Sequence, residues 1–189
     1  MKVGILAIQG DFYLHKKSFD IIGVETLFVR KFSDFKEIDS LIIPGGESTT
    51  MSLLLSKYKL DEVLYDFSLD HTVFGICAGS ILISKNSNDK RIKNLNIMQF
   101  DSVRNAWGNQ INSFSDYINI KESLNIDDFY TTFIRAPKFI NVDPSCEILA
   151  SYNSEPVLIK NKRHLAASFH PEMGDDTRLL EYFLKFANE

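Results

Sequence analysis

The chain's first half carries strand-like runs that are apolar at nearly every position, and this constrains the fold more than anything else in the sequence. Residues 2–8 (KVGILAI), 40–43 (SLII) and 72–76 (TVFGI) have this character. A strand without polar and apolar alternation has both faces covered, as in a parallel sheet packed between helices. Residues 24–30 (VETLFVR) are rich in β-branched and aromatic side chains and make a further strand. Helical patterns lie between these runs. Residues 15–22 follow a break at Gly10, and Met51, Leu54 and Leu55 recur at helical spacing after Pro44-Gly45-Gly46, where Ser48 or Thr49 is positioned to cap. Residues 61–69 continue as helix. Strand, helix and short connection thus alternate as they do in an open α/β sheet.

The second half is richer in strands, expected at 97–103, 117–121, 130–134, 147–152, 156–160 and 165–169. A closing helix follows, capped by Asp175 or Asp176, with Leu179, Leu180, Phe183, Leu184 and Ala187 as its buried stripe. The chain has 189 residues and no repeat, low-complexity tract or Pro/Gly/Ser linker, so residues 1–189 are expected to form one domain. A net charge of −4 gives no general pull toward nucleic acid. No apolar run approaches the ~20 residues that span a bilayer, so no membrane partner is expected. Gln9, Gly10 and Asp11 end the first apolar run before a leader cleavage site can form, and the expected location is cytoplasmic. Two cysteines, Cys77 and Cys146, make no disulfide framework, and without CxxC or HExxH spacing no metal site is expected.

Three segments carry residues suited to chemistry. G-x-C-x-G at 75–79 follows a strand and opens a helix, the layout of a nucleophile elbow with Cys77 as nucleophile. Small neighbours Gly75, Ala78 and Gly79 leave room around a strained residue, and the side chain projects from the carboxyl edge of the sheet, where open α/β folds bind ligands. The helix N-terminus favours the thiolate, and its backbone N–H groups can face an oxyanion. A core cysteine beside incidental glycines fits the same five residues. In SFHPE at 168–172, Pro171 biases His170 toward extended backbone, and residues i and i+2 of an extended chain point the same way. Glu172 can then orient His170 as the third member of a triad, or the pair can be a loop histidine near a solvated carboxylate. PGGEST at 44–49 offers glycine N–H groups as oxyanion donors, or is a plain strand-to-helix loop. His71 and His164 sit in apparent loops and are expected to be solvated. His15 opens a helix as a weak interface candidate, and Cys146 is expected to pack in the core.

Together the elbow cysteine, the late His-Pro-Glu and the Gly-Gly loop resemble the class I, triad-type glutamine amidotransferases. AIQGD at 7–11, PGGESTTM at 44–51, GICAG at 75–79, VRNAWGNQINSF at 103–114, FIRAP at 133–137 and SFHPE at 168–172 are similar to the glutaminase-subunit family of pyridoxal 5′-phosphate synthases, in that order along nearly the whole chain. The resemblance implies a three-layer α/β fold: an open, mostly parallel, flavodoxin-like sheet with flanking helices and a nucleophile elbow. It implies hydrolysis of L-glutamine to L-glutamate and ammonia, no cofactor, and a separate synthase subunit that receives the ammonia. On this sequence it makes Cys77 the nucleophile, His170 the base and Glu172 its orienter, with the N–H groups of Gly46 and Ala78 as the oxyanion hole. Glutamine contacts fall on Gly46, Glu47, Ser48, Arg104, Ile134 and Arg135. An arginine fork suits the substrate's α-carboxylate, although a surface arginine packing its stem on the fold looks the same in sequence.

The chain departs from the family pattern at Ile76, where Thr is usual, and at Trp107 and Asn109, where Phe and Arg are usual. Ile76 is compatible with the motif if its side chain faces the core. The rivals are a class I glutaminase of another pathway, such as imidazole glycerol phosphate or guanylate synthesis, a non-catalytic protein on the same fold, and a cysteine peptidase or γ-glutamyl hydrolase. RNAWG and FIRAP argue against the first, and the intact Cys–His–Glu set argues against the second.

Overall fold

The computed structural model describes residues 1–104 and 113–189. Trp107, Asn109 and most of the RNAWG motif lie outside the described residues. The four early runs become β1 (Val3–Leu6), β2 (Thr26–Val29), β3 (Ser40–Ile43) and β4 (Thr72–Ile76). Helix α1 (Phe12–Ile21) joins β1 to β2, and α2 (Ser48–Lys57) and α3 (Leu60–Asp70) join β3 to β4. The elbow helix α4 (Ala78–Ile83) precedes the short strands β5 (Asn86–Ser87) and β6 (Asp101–Val103). Then come β7 (Phe114–Ile120), β8 (Phe129–Phe133), β9 (Lys138–Ile140), β10 (Glu147–Tyr152), β11 (Glu155–Lys160), β12 (Leu165–Ala167) and the closing helix α5 (Arg178–Ala187).

One nine-stranded sheet runs β2-β1-β3-β4-β12-β11-β10-β7-β8. From β2 to β12 the strands are parallel, and from β12 outward each pairing is antiparallel. The first five follow the flavodoxin-like order. A small sheet, β5-β6-β9, is not hydrogen-bonded into it, and its β9 packs against β11.

The apolar runs divide by alternation. Leu41 and Ile43 point into one core, with Met51 and Leu55 of α2, Leu64 of α3 and Leu82 of α4. Ile42 points into the other, with Phe19 of α1 and Leu179, Leu180 and Phe183 of α5. Adjacent residues of a strand face opposite sides of the sheet, so two cores on one strand mean helices on both faces: three layers. Ile76 is fully buried in the second core, as its place in the motif requires. No helix among the described residues is long and apolar enough to cross a membrane.

Several local expectations are corrected. The strand expected at 97–103 shortens to β6, because the chain before it serves another purpose. The N–H groups of Leu95, Ile97 and Met98 donate to the carbonyls of Leu82 and Ile83. Those carbonyls belong to the last turn of α4, which has no intrahelical partner for them. Helix α2 is capped by Glu47, not by Ser48 or Thr49: its carboxylate accepts from the N–H groups of Thr49 and Thr50 at 3.4 and 2.7 Å. Ahead of α5, Asp176 accepts from Arg178 N–H at 3.1 Å, while Thr177 stands at the cap position. His164 is buried rather than solvated, and its Nδ1 accepts from Val73 N–H at 3.2 Å. His71 is half-buried and stacks on Phe67 at 4.3 Å. Cys146 is buried, as expected.

Candidate active site

Segments leaving the carboxyl ends of β1, β3, β4 and β12 meet at one place. The β4 segment contributes Cys77, whose backbone takes φ 48° and ψ −105°. A side-chain-bearing residue held there costs about 1–3 kcal/mol, so its surroundings must hold it. They do: Cys77 N–H donates to Ala167 O at 2.8 Å, and its carbonyl accepts from Ser80 N–H at 3.1 Å and from Ser80 Oγ at 2.6 Å. The strain sits on the cysteine and not on its glycines. Gly75 and Gly79 serve close packing instead. A Cβ on Gly79 would lie 2.1 Å from Ile43 O, and one on Gly75 would lie 2.7 Å from Gly79 O. Without side chains at both positions α4 can sit directly on β3 and β4, which aims the thiol outward. Cys77 Sγ lies 3.7 Å from Ile134 O.

His170 follows β12 by three residues. Its N–H donates to Thr132 O at 2.8 Å, in an isolated antiparallel bridge that ties it to β8. Its Nδ1 lies 2.7 Å from Glu172 Oε1. The reach is made differently from the expected extended alternation: Pro171–Met173 is a 3-10 turn with proline at its first position, and only His170 itself stays near extended backbone. Burial works against a charge on His170, but the Cys77 sulfur and the Glu172 carboxylate beside it win, and the ring is pushed up to about 10. Burial likewise opposes charge on Glu172, yet His15 and His170 hold its carboxyl below the ordinary value.

The loop after β3 lies against that imidazole. A Cβ on Gly45 would fall 2.3 Å from His170 Cε1, and one on Gly46 would fall 2.5 Å from Gln9 Oε1. Neither glycine takes a left-handed conformation, so what they supply is close approach. Gly10, at φ +95°, does need its freedom, since the Gly45 carbonyl crosses beside it to accept from Asp11 N–H at 3.2 Å. Glu47 N–H donates to Gln9 Oε1 at 2.9 Å. The β1 and β3 loops are therefore built as a pair.

These segments enclose a cavity of about 340 Å³. Cys77, Ala78 and His170 line it, as do Gly46, Glu47, Ser48, Arg104, Ile134 and Arg135. Glu172 lies behind His170, out of the cavity, with no accessible side-chain surface. Arg135 is exposed on the rim in a left-handed conformation, φ 44°. Arg104 is already engaged: it pairs with Glu47 at 3.0 Å and with Asp89. Burial disfavours charge on Glu47, but its hydrogen bonds from Thr49 and Thr50 prevail and hold its carboxyl down at about 2. Gly45 lines it too, and Gln9, Asp11, Ile81 and Met173, which were given no role by the sequence, complete the lining. AIQGD was a visible motif, but nothing in it said that Gln9 would receive the N–H of Glu47.

A doubly covered sheet of this order, with a strained cysteine at one strand end and a buried His–Glu pair beyond the neighbouring strand, is the architecture of a glutamine amidotransferase. A solved structure described as a glutamine amidotransferase matches with a TM-score of 0.92 and 37% identity, covering 99% of both chains. The chain belongs to the SNO glutamine amidotransferase family, whose model matches residues 5–189. Among curated relatives, the pyridoxal 5′-phosphate synthase subunit PdxT of Francisella tularensis subsp. tularensis is 44% identical over 183 residues, 97% of each chain. A solved glutamine amidotransferase from Thermotoga maritima shares the fold at a TM-score of 0.60 and 13% identity, covering 97% of this chain and 82% of that one.

Proposed function

We infer that this chain is a glutaminase subunit of a pyridoxal 5′-phosphate synthase, hydrolysing L-glutamine and delivering ammonia to a synthase subunit. Family membership and 44% identity along the chain to proteins named PdxT support the reaction and its pathway. The observation that carries the residue roles is the 2.7 Å contact between His170 Nδ1 and Glu172 Oε1, behind a cavity that also holds Cys77.

In this reading Cys77 Sγ attacks the carboxamide carbon of glutamine. The carbonyl oxygen becomes an oxyanion facing the N–H groups of Gly46 and Ala78. His170, with Nδ1 held by Glu172, gives a proton from Nε2 to the leaving ammonia, then takes one from the water that cleaves the thioester. A His170 that favours its charged form suits a thiolate–imidazolium pair ready to attack. Glu47, Ser48, Ile134 and Arg135 bind glutamine in this reading, supported by their lining of the cavity. Arg104 offers its fork to the α-carboxylate only by sharing it with Glu47 and Asp89.

Residues 1–189 act as one glutaminase domain in the cytoplasm, with the acceptor chemistry in a partner polypeptide. Free ammonia would be protonated and diluted in water, so docking serves the chemistry. The Gly45 carbonyl is tied to Asp11 N–H, which fixes the Gly45–Gly46 peptide. If docking resets that one peptide as an oxyanion donor, turnover rises about 100-fold in the complex. Ammonia release from glutamine, with and without the synthase, tests this, and equal rates would contradict it.

A further inference from the structure

Helix α1 carries a histidine to which the mechanism above gives no task. The side chains of His15 and Glu172 have no accessible surface, and His15 Nε2 lies 3.5 Å from Glu172 Oε1. Neither ring nitrogen of His15 has a hydrogen-bond partner among the described residues, and Glu172 Oε2 is buried in the same condition. Leaving such groups unpaired is costly, and an apolar side chain would fill this face of α1 without that cost. The buried imidazole instead faces the carboxylate oxygen that already holds His170 Nδ1, and the other oxygen of that carboxylate has no partner among the described residues.

We propose that His15 is a positioning residue of the glutaminase site, whose neutral imidazole presents Nε2–H to Glu172 Oε1. That oxygen is then held from two sides, by His170 Nδ1–H at 2.7 Å and by His15 at 3.5 Å. The inference rests on the glutaminase reading, and adds to it a fourth side chain that never touches substrate. The longer contact is of the kind that tightens when a site closes on its substrate.

The groups facing His15 decide its charge. Burial disfavours the imidazolium, and so does the neighbouring His170; Glu172, and Asp11 at the start of α1, favour it. Lys17 and Asp175 line a small cavity together with Glu172. The net direction for His15 is downward, whereas His170 is pushed up to about 10. One buried carboxylate thus supports one imidazolium, and it is His170. A neutral His15 can donate to Glu172 without competing for that charge. Its donation has two effects: it fixes the carboxylate, and with it the orientation of the His170 ring in the cavity it shares with Cys77, and it helps keep Glu172 ionised.

The test uses glutaminase pH profiles of the chain with its cognate synthase subunit, for wild type and for His15→Leu, His15→Asn and His15→Gln. The Gln amide nitrogen falls near the Nε2 position, while the Asn amide reaches only the Nδ1 position. His15→Leu and His15→Asn should lower kcat about 10- to 100-fold with little change in KM. They should also move the acid limb of kcat/KM to higher pH, because a less stabilised carboxylate takes up its proton sooner. His15→Gln should restore both within a few-fold. If His15→Leu does not fold, the comparison of the two equally polar amides decides. The His170 Nδ1–H proton resonance of the isolated chain gives a readout without turnover. It should persist in His15→Gln and shift or broaden in His15→Asn. Wild-type rate and acid limb in His15→Asn would overturn the proposal, as would an equal loss at all pH in both amides. Wild-type turnover that vanishes in Cys77→Ala reports on the glutaminase reading separately.

Discussion

Cys77, His170 and Glu172 are placed by different devices, and each device is a residue-scale fact. A strained backbone at Cys77 is pinned by hydrogen bonds to Ala167 and Ser80. A backbone bridge to Thr132 sets His170, and a proline-led 3-10 turn brings Glu172 under it. The glycines serve the same placement by leaving space, and this is testable. Gly45→Ala puts a Cβ 2.3 Å from His170 Cε1, so the imidazole must move. We expect glutamine turnover to fall about 100-fold, with a melting temperature close to wild type. The triad candidates were legible in sequence because each lies close to a buried strand's end, where a polar residue stands out against the apolar run. His15 was not legible: a lone histidine on an amphipathic helix shows nothing of the carboxylate it meets across the fold. Gly45 was visible in its loop, but nothing in the sequence said that the ring it makes room for is His170.

At the scale of elements, the parallel strands were read closely because burial on both faces leaves few polar residues within them. β3 and β4 have the expected bounds, 40–43 and 72–76. The second half was harder, since the outer antiparallel strands are half-exposed and the stretch before β6 uses Leu95, Ile97 and Met98 to satisfy the end of α4 instead of pairing. Helix starts were the least legible feature. Ser48 and Thr49 are favoured cap residues, yet Glu47 takes the role because its longer side chain reaches both following N–H groups. Glu47→Ala should lower stability by about 1 kcal/mol, seen as a lower denaturant midpoint with unchanged slope. It should also weaken glutamine binding, since Arg104 loses one of the carboxylates that position it.

For the whole molecule, a buried histidine adds to how the fold answers to acid. His164 at the β11–β12 turn is driven down to about 4 by burial, with Arg163 contributing, from an ordinary value of 6.5. The folded chain therefore binds fewer protons than the unfolded chain between those two values. Its contribution to stability is complete above pH 6.5 and is lost as pH falls toward 4, by at most about 3 kcal/mol. His164→Asn keeps an acceptor for Val73 N–H without titrating. Thermal melts of this variant should fall less steeply over that acid range than those of wild type, and parallel curves would contradict the assignment. The fold's larger logic is convergence: the parallel strands carry their loops to one edge, and the antiparallel extension returns through Thr132 to hold His170 there. The central claim is that this edge hydrolyses glutamine through Cys77. Ammonia release from L-glutamine, measured for wild type and Cys77→Ala with the synthase present, tests it most directly. Release by wild type and none above background by Cys77→Ala is the predicted result; release that survives the substitution would contradict it.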